Sequence, residues 1–327
     1  MLLSRVLLLP FIALCPLHLV RAESAPFVMT LLDIPDVQRG AGLAIVLQLP
    51  SGKTCLYDTG NGYPDATAPD GWQGGKNTGR DLIVPFLEKA GVKEIDTVFI
   101  SHAHYDHFGG LLWLRDHFPI KRLVDSGYHY TGEKSPEYAT ELNDYDQLRA
   151  GFQARGAYLE AHTGDVLPLD DQLAVEVTAP PKEFFMQPLP ELRNPKDPPA
   201  HYLVNASSLG LRIVHGKTTF LLPGDIQAED IVFQLIPSLP PEKFKCDVLV
   251  APGHGLHAPR QFAEVTHPAV TLCSVFPRYA KGLPARKIFA DVGSKVYVTG
   301  LQGWLRVTSN GTSYTVETER PQPIASP

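Results

Sequence analysis

Residues 101–110 read SHAHYDHFGG. His102, His104, Asp106 and His107 fall within six positions, directly after the apolar run IDTVFI at 95–100 and just before Gly109 and Gly110. Imidazole and carboxylate are the side chains that bind zinc, iron and manganese. So dense a set behind a buried strand reads as a metal site rather than as scattered surface histidines. In an extended loop leaving the strand, alternate side chains point the same way. That places His102, His104 and Asp106 on one side, with His107 reaching a second point. The two glycines are expected to let the loop bend tightly, so that a helix, LLWLRDHF at 111–118, starts close behind it.

Upstream, FVMTLLDI (27–34), LAIVLQL (43–49) and TCLYD (54–58) have the composition of strands, and PSGK closes the last two into a hairpin. The polar, Gly-rich stretch 61–80 is a loop. Residues 81–90 carry apolar side chains at 82, 83, 86, 87 and 90, a helical spacing ended by Gly91. Downstream, 180–199 holds seven prolines, too many for a regular element, and reads as a long loop or flap. LGLRIV and TTFLL form a second hairpin around HGK, 227–236 a helix, DVLVA and VTLCSVF strands, and 295–317 three short strands. No 20–50-residue repeat is visible. The layout is α/β: a single domain of two β-rich halves with helices outside.

With 44% hydrophobic and 20% charged residues in 327, the chain can bury a sizeable core. Its first 22 residues, MLLSRVLLLPFIALCPLHLVRA, place Arg5 before an apolar stretch and end on the small Ala22, as a bacterial secretory signal peptide does. Pro10, Pro16 and His18 interrupt the run and argue against an uncleaved anchor. The expectation is therefore a leader over 1–22, cut near Ala22, and one catalytic domain over 23–327, secreted or periplasmic. No later segment approaches the ~20 apolar residues of a membrane helix. Losing Arg5 and Arg21 takes the formal net charge from −6 to −8, and an acidic surface gives no general attraction to nucleic acid. An anionic substrate would be held locally, by metal or by side chains such as Lys121, Arg122 and Arg193. Cys55, Cys246 and Cys273 match no disulfide framework or zinc knuckle and read as buried apolar residues.

The HxHxDH element after a strand resembles the hallmark of the metallo-β-lactamase-fold hydrolase superfamily. Four segments, DIPDVQRGAGLAIVLQLPSGKTCLYDTG, TVFISHAHYDHFGGL, NASSLGLRIVHGKTTFLLPGDI and DVLVAPGHG, are similar to successive motifs of one branch. That branch is the extracytoplasmic nuclease domain of the ComEC-type DNA-uptake proteins and its free-standing relatives. The resemblance runs from about residue 28 to 310. It implies a four-layer αββα sandwich with the metal site at one edge. It also implies two divalent ions, zinc first and manganese second. His102 and His104 match the histidines of the first metal site, Asp106 and His107 ligands of the second, Asp225 the bridging aspartate, and His254 the last ligand of the second site. Asp58 matches a buried aspartate that orients the ligands.

Two departures from that pattern stand out. Where the superfamily usually has a third first-site histidine, the chain reads HYLVN, so Asn205 or His201 is the candidate third ligand or substrate contact. GHG replaces a pair of histidines, with Gly253 for the first and Leu256 for a serine; His257 is the candidate proton donor in compensation. Two ions bridged by Asp225 would hold a shared water as hydroxide for attack on phosphorus or a carbonyl carbon. No G-x-S-x-G element argues for a serine nucleophile. The expected function is a secreted metal-dependent hydrolase of phosphodiester bonds, in DNA, nucleotides or other small molecules. A lactone, lactam or thioester hydrolase is the alternative. From other classes come a degenerate, non-catalytic metal-binding module and a mononuclear iron redox protein. No protein partner can be inferred.

Overall fold

Alternation decides which way each strand faces. Phe27, Met29 and Leu31 of β1 (Phe27–Leu31), Ile45 and Leu47 of β2 (Ala44–Gln48), Cys55 and Tyr57 of β3 (Thr54–Thr59) and Phe99 of β4 (Ile95–Phe99) join one apolar cluster. Val46, Leu56 and Val98, which lie between them, join another. This is the period of two that a pleated strand imposes, so the sheet is covered on both faces. The structure is a computed structural model that describes residues 25–36, 40–182 and 199–321. The expected leader, Arg193 and nearly all of the proline-rich stretch lie outside the described residues.

The first sheet has the order β14-β13-β1-β2-β3-β4-β5-β6, completed by β5 (Ile120–Asp125), β6 (Tyr158–Glu160), β13 (Leu305–Ser309) and β14 (Tyr314–Thr318). Its β3 to β6 half is parallel. The second runs β12-β11-β10-β9-β8-β7, from β7 (Leu173–Ala179), β8 (Gly210–His215), β9 (Thr218–Leu222), β10 (Val248–Val250), β11 (Val270–Cys273) and β12 (Lys295–Val298). Here β9 to β12 are parallel. Val177, Ile213, Phe220 and Leu272 of the second sheet meet Met29, Tyr57 and Phe99 of the first in the layer between them.

Helices cover the outer faces. α1 (Val84–Lys89), α2 (Tyr105–His117) and α3 (Pro136–Ala154) lay Leu87, Phe108, Leu111, Tyr145 and Phe152 on the first sheet. Helices Arg260–Thr266 and Pro284–Ala290, with the helical segment 228–238, lay Phe262, Phe289 and Ile231 on the second. The result is the expected four-layer αββα sandwich. Cys55, Cys246 and Cys273 are free and buried, as expected. Burial pushes the thiols of Cys55 and Cys273 up to about 12.

Two buried carboxylates fasten helices to this frame. Asp125, at the end of β5, accepts from Tyr145 Oη at 2.6 Å, Tyr158 Oη at 2.6 Å, Arg149 Nε at 2.9 Å and the Gly127 amide at 2.7 Å. It thereby moors α3 to the first sheet. Asp230 is wholly buried and its Oδ1 accepts from Tyr202 Oη at 2.8 Å, which ties α4 (Pro199–Ala206) to the segment after β9. Its Oδ2 has no hydrogen-bond partner among the described residues, and burial pushes the carboxyl up to about 6.

The sign of that shift gives a prediction. A folded value above the unfolded one means the native state holds an extra proton between roughly pH 4 and 6. The stabilisation is full below that window and is lost as pH rises through 6, about 3 kcal/mol in all for a two-unit shift. Urea denaturation at pH 4.5 and 7.5 is expected to show this slope in the wild type and not in Asp230→Asn. Equal slopes in the two proteins would show that Asp230 is not its source.

Candidate metal centre

The parallel strands bring their carboxyl ends to one edge, and His102, His104, Asp106, His107, Asp225 and His254 each follow such an end, whereas Asn205 and His201 come from α4. β3 closes on Asp58, whose φ of 56° places it in the left-handed region, tolerable for an aspartate and uncommon for other side chains. β4 leads into Ser101–His104, which bends at His102 and Ala103, the His104 amide donating to the His102 carbonyl at 3.1 Å; α2 then begins at Tyr105. The helix therefore starts six residues earlier than expected, and Asp106 and His107 lie in its first turn rather than in an extended loop. Gly109 and Gly110 do not make a bend. They lie inside α2 because the helix presses backbone against backbone: a Cβ on Gly109 would meet Gly62 N at 2.3 Å, and one on Gly110 would meet Thr59 O at 2.1 Å.

Each imidazole is held from behind. His107 Nδ1 donates to Asp58 Oδ2 at 2.7 Å, and His254 Nδ1 donates to the Ser274 carbonyl at 3.0 Å. Both therefore present Nε2 forward, and these two nitrogens lie 3.2 Å apart. Asp225 Oδ2 is 3.4 Å from the first and 3.1 Å from the second; Asp106 Oδ2 is 4.0 and 3.7 Å away. Asp106 is itself oriented by the amides of Ala41 at 3.0 Å and Gly42 at 3.5 Å. Gly40, with φ of 62°, lets this loop come so close that a Cβ there would lie 2.3 Å from Asp106 Oδ2. The Asp225 amide donates to Ser208 Oγ at 3.0 Å.

The electrostatics match a centre that takes positive charge. Burial alone would raise the carboxyls of Asp106 and Asp225, yet the imidazoles of His107 and His254 outweigh it and hold both below the usual range. Conversely, burial would lower His107 and His254, but Asp225 and its neighbouring carboxylates keep them above the ordinary imidazole value. Burial, with the nearby imidazoles, drives His102 and His104 well down, so both are neutral and each carries a lone pair.

Ligand atoms of Asp106, His107 and His254 lie within 4.8 Å of one another, as do those of His102, His107 and Asp225. Two facing imidazole nitrogens that give up their protons to an incoming cation, beside two carboxylates, are a donor set for a divalent ion, so the residues fit the implied metal. His104 stands just outside both triads, its Nδ1 2.8 Å from His102 Nε2.

The doubtful positions also find places. Asn205, on α4, is 4% exposed, lines the same cavity of about 420 Å³, and its Oδ1 has no hydrogen-bond partner among the described residues. His201 also lines that cavity, but its ring stacks on His104 at 4.8 Å and 22°, and it belongs to neither triad. His257 and Leu256 are exposed on the cavity wall, and a Cβ on Gly253 would meet the His257 ring at 2.7 Å. Lys121 pairs with Glu94 at 2.7 Å and Arg122 donates to Thr97 Oγ1 at 3.1 Å; neither lines this cavity, which departs from their suggested role. Tyr138, Ser208, Ser274 and the 40–42 amides were not foreseen. Of these, Tyr138 had a signal, the helical spacing of apolar residues at 138, 142, 145, 148 and 152.

Asp58 is buried completely and also accepts from the Ser101 amide and hydroxyl, each at 2.7 Å. Burial pushes its carboxyl up, against the pull of His107 and Ser101. Asp58→Asn removes the charge behind His107 and is expected to weaken metal binding about 10- to 100-fold. Competition against a chelator measures it, and an unchanged affinity would count against this support.

A family model described as Metallo-beta-lactamase superfamily matches residues 37–264. The chain is 28% identical over 229 residues to ComE operon protein 3 of Bacillus subtilis (strain 168), a match covering 68% of this chain and 25% of that protein. It is 36% identical over 85 residues to the uncharacterized protein YcaI of Escherichia coli (strain K12), 23% of this chain and 10% of that one. The matches thus span a quarter or less of these curated relatives. Among solved structures, Igni18, a metallo hydrolase from Ignicoccus hospitalis KIN4/I, aligns with 15% identity over 85% of this chain and 98% of its own, at a TM-score of 0.43. The first of these relatives agrees with the ComEC-type branch to which the motifs point.

Proposed function

The chain belongs to the metallo-beta-lactamase superfamily, and on that premise we propose that it is a secreted hydrolase of phosphodiester bonds that uses two divalent cations, zinc or manganese. The observation that carries the metal chemistry is the facing pair of Nε2 atoms on His107 and His254, 3.2 Å apart between Asp106 and Asp225. Bound there, divalent cations lower the pKa of water toward neutrality and polarise the oxygen of the bond to be cut. Asp225 faces both imidazoles and is the side chain best placed to serve two ions. Asp106 is held towards His254 by the Ala41 and Gly42 amides. Asn205, with its unpartnered Oδ1 on the cavity wall, gives the first half of the centre a neutral oxygen where relatives of the β-lactamase kind use a third histidine. That asymmetry supports a phosphodiester substrate over a lactam. His257 is the side chain assigned to return a proton to the leaving oxygen.

A substrate panel tests this reading. Bis-p-nitrophenyl phosphate, single-stranded DNA, a cyclic dinucleotide, a lactone, a thioester and a β-lactam are each offered with zinc and with manganese. The diesters are expected to turn over. Hydrolysis confined to the lactone, thioester or lactam would overturn the substrate assignment, and one iron per chain would overturn the hydrolytic one.

A further inference from the structure

We propose that Tyr138 is a positioning residue that selects which nitrogen His104 offers to the metal centre. The inference rests on reading the site as a metal centre. His104 Nδ1 lies 2.8 Å from His102 Nε2, and its Nε2 lies 2.6 Å from Tyr138 Oη. On the far side of His102, Nδ1 is 2.9 Å from Ser101 Oγ, whose hydroxyl donates to Asp58 Oδ2 at 2.7 Å. Ser101 Oγ is thus an acceptor for His102 Nδ1–H, and His102 Nε2 keeps its lone pair.

A neutral His104 has one ring proton to place. On Nδ1 it points at His102 and leaves no lone pair there. On Nε2 it needs an acceptor, since His104 is only 6% exposed, and a buried N–H without a partner costs about 1–3 kcal/mol. The phenol oxygen of Tyr138 is that acceptor. A cation drawing on Nδ1 therefore requires the tautomer that Tyr138 receives, and His102 and His104 then aim two lone pairs at one point.

The placement of Tyr138 is built rather than incidental. Ser135 caps the start of α3 by accepting from the Tyr138 amide at 3.3 Å. One helical step on, Glu141 Oε1 accepts from the Tyr105 amide, and one step further Asp144 Oδ2 accepts from Tyr105 Oη at 2.6 Å. Residues three apart share a helix face, so α3 grips His104 and its neighbour with one row of side chains. Each of the four imidazoles then has its own partner behind it: Ser101 for His102, Tyr138 for His104, Asp58 for His107 and the Ser274 carbonyl for His254.

The test is metal binding by purified full-length protein. Zinc is titrated in competition with a chromophoric chelator, and cobalt(II) is added separately to read ligand changes in its visible spectrum. In Tyr138→Phe, one binding step is expected to weaken about 10- to 100-fold, the usual cost of losing such a partner, with a changed cobalt spectrum. The other step and the thermal midpoint of the metal-free protein stay as in the wild type. In a His104→Ala background, Tyr138→Phe is expected to add nothing. Unchanged binding in Tyr138→Phe, an equal fall in both steps, or the same further loss without His104 would each overturn the proposal. If the wild type itself takes up neither zinc nor cobalt, the metal-centre reading falls, and the proposal with it.

Discussion

Asp225→Ala is expected to lose about three orders of magnitude in hydrolytic rate and to hold fewer than two metal ions per chain. The Asp225 carboxylate lies closer than that of Asp106 to the forward Nε2 atoms of His107 and His254, at 3.4 and 3.1 Å. A metal-assisted step draws several kcal/mol from the charge stabilisation that such a ligand maintains, and about 4 kcal/mol corresponds to roughly a thousandfold. The backbone at this position is secured independently, by the Asp225 amide on Ser208 Oγ, so the variant keeps its fold. Turnover of bis-p-nitrophenyl phosphate with metal analysis of the same sample decides it. Rates within a few-fold of the wild type would remove Asp225 from the centre. Asp106→Ala is the matching control and should lose comparable activity.

Asp125→Ala is expected to cost about 3–5 kcal/mol of stability. Asp125 is 2% exposed and Arg149 8%. Removing the carboxylate strands a buried guanidinium together with the hydroxyls of Tyr145 and Tyr158, and breaking one side of a buried ion pair is among the most damaging single changes. Arg149 keeps weaker contacts, to Asp146 at 3.4 Å and the Tyr128 carbonyl at 3.0 Å, which set the lower bound. The same change loosens α3, the helix that carries Tyr138. Urea denaturation gives the number, and a loss below about 1 kcal/mol would mean that the network is replaceable by solvent and by those residual contacts.

Much of this architecture could be read from the chain because strand burial writes itself as alternation. Phe27, Met29, Leu31 and Tyr57 announce the inner layer, Val46, Leu56 and Val98 the outer one. The candidate site was legible for a different reason: few structural needs place three histidines and an aspartate in six positions, DTG closes a strand, and PGD and GHG each follow one. The start of α2 was not legible. Local spacing favoured a loop through His107, but close packing of Gly109 and Gly110 against Gly62 and Thr59 is a tertiary constraint that only the folded backbone reveals. Nor could the sequence separate Asn205 from His201. Four residues apart on α4, they share a face, and only ring stacking on His104 draws the histidine aside. The apolar spacing over 138–152 puts Tyr138 on a helix, but its role was hidden because its partner lies 34 positions away, at the residue just before α2.

The strands that deliver the ligands belong to different sheets. Asp106 and His107 follow β4 of the first, and Asp225 and His254 follow β9 and β10 of the second. A cation held among them would therefore be a removable cross-link across the seam of the sandwich. It would close a long loop of chain at an edge where the sheets are joined by apolar packing and by a few hydrogen bonds, such as the Leu209 amide on the Ser101 carbonyl at 2.8 Å and Tyr57 Oη on the Leu209 carbonyl at 2.7 Å, and long loops are the ones whose closure most restricts the unfolded chain. With a cation bound there, the chemistry of the site and the cohesion of the two halves would answer to a single variable, the concentration of metal around the protein.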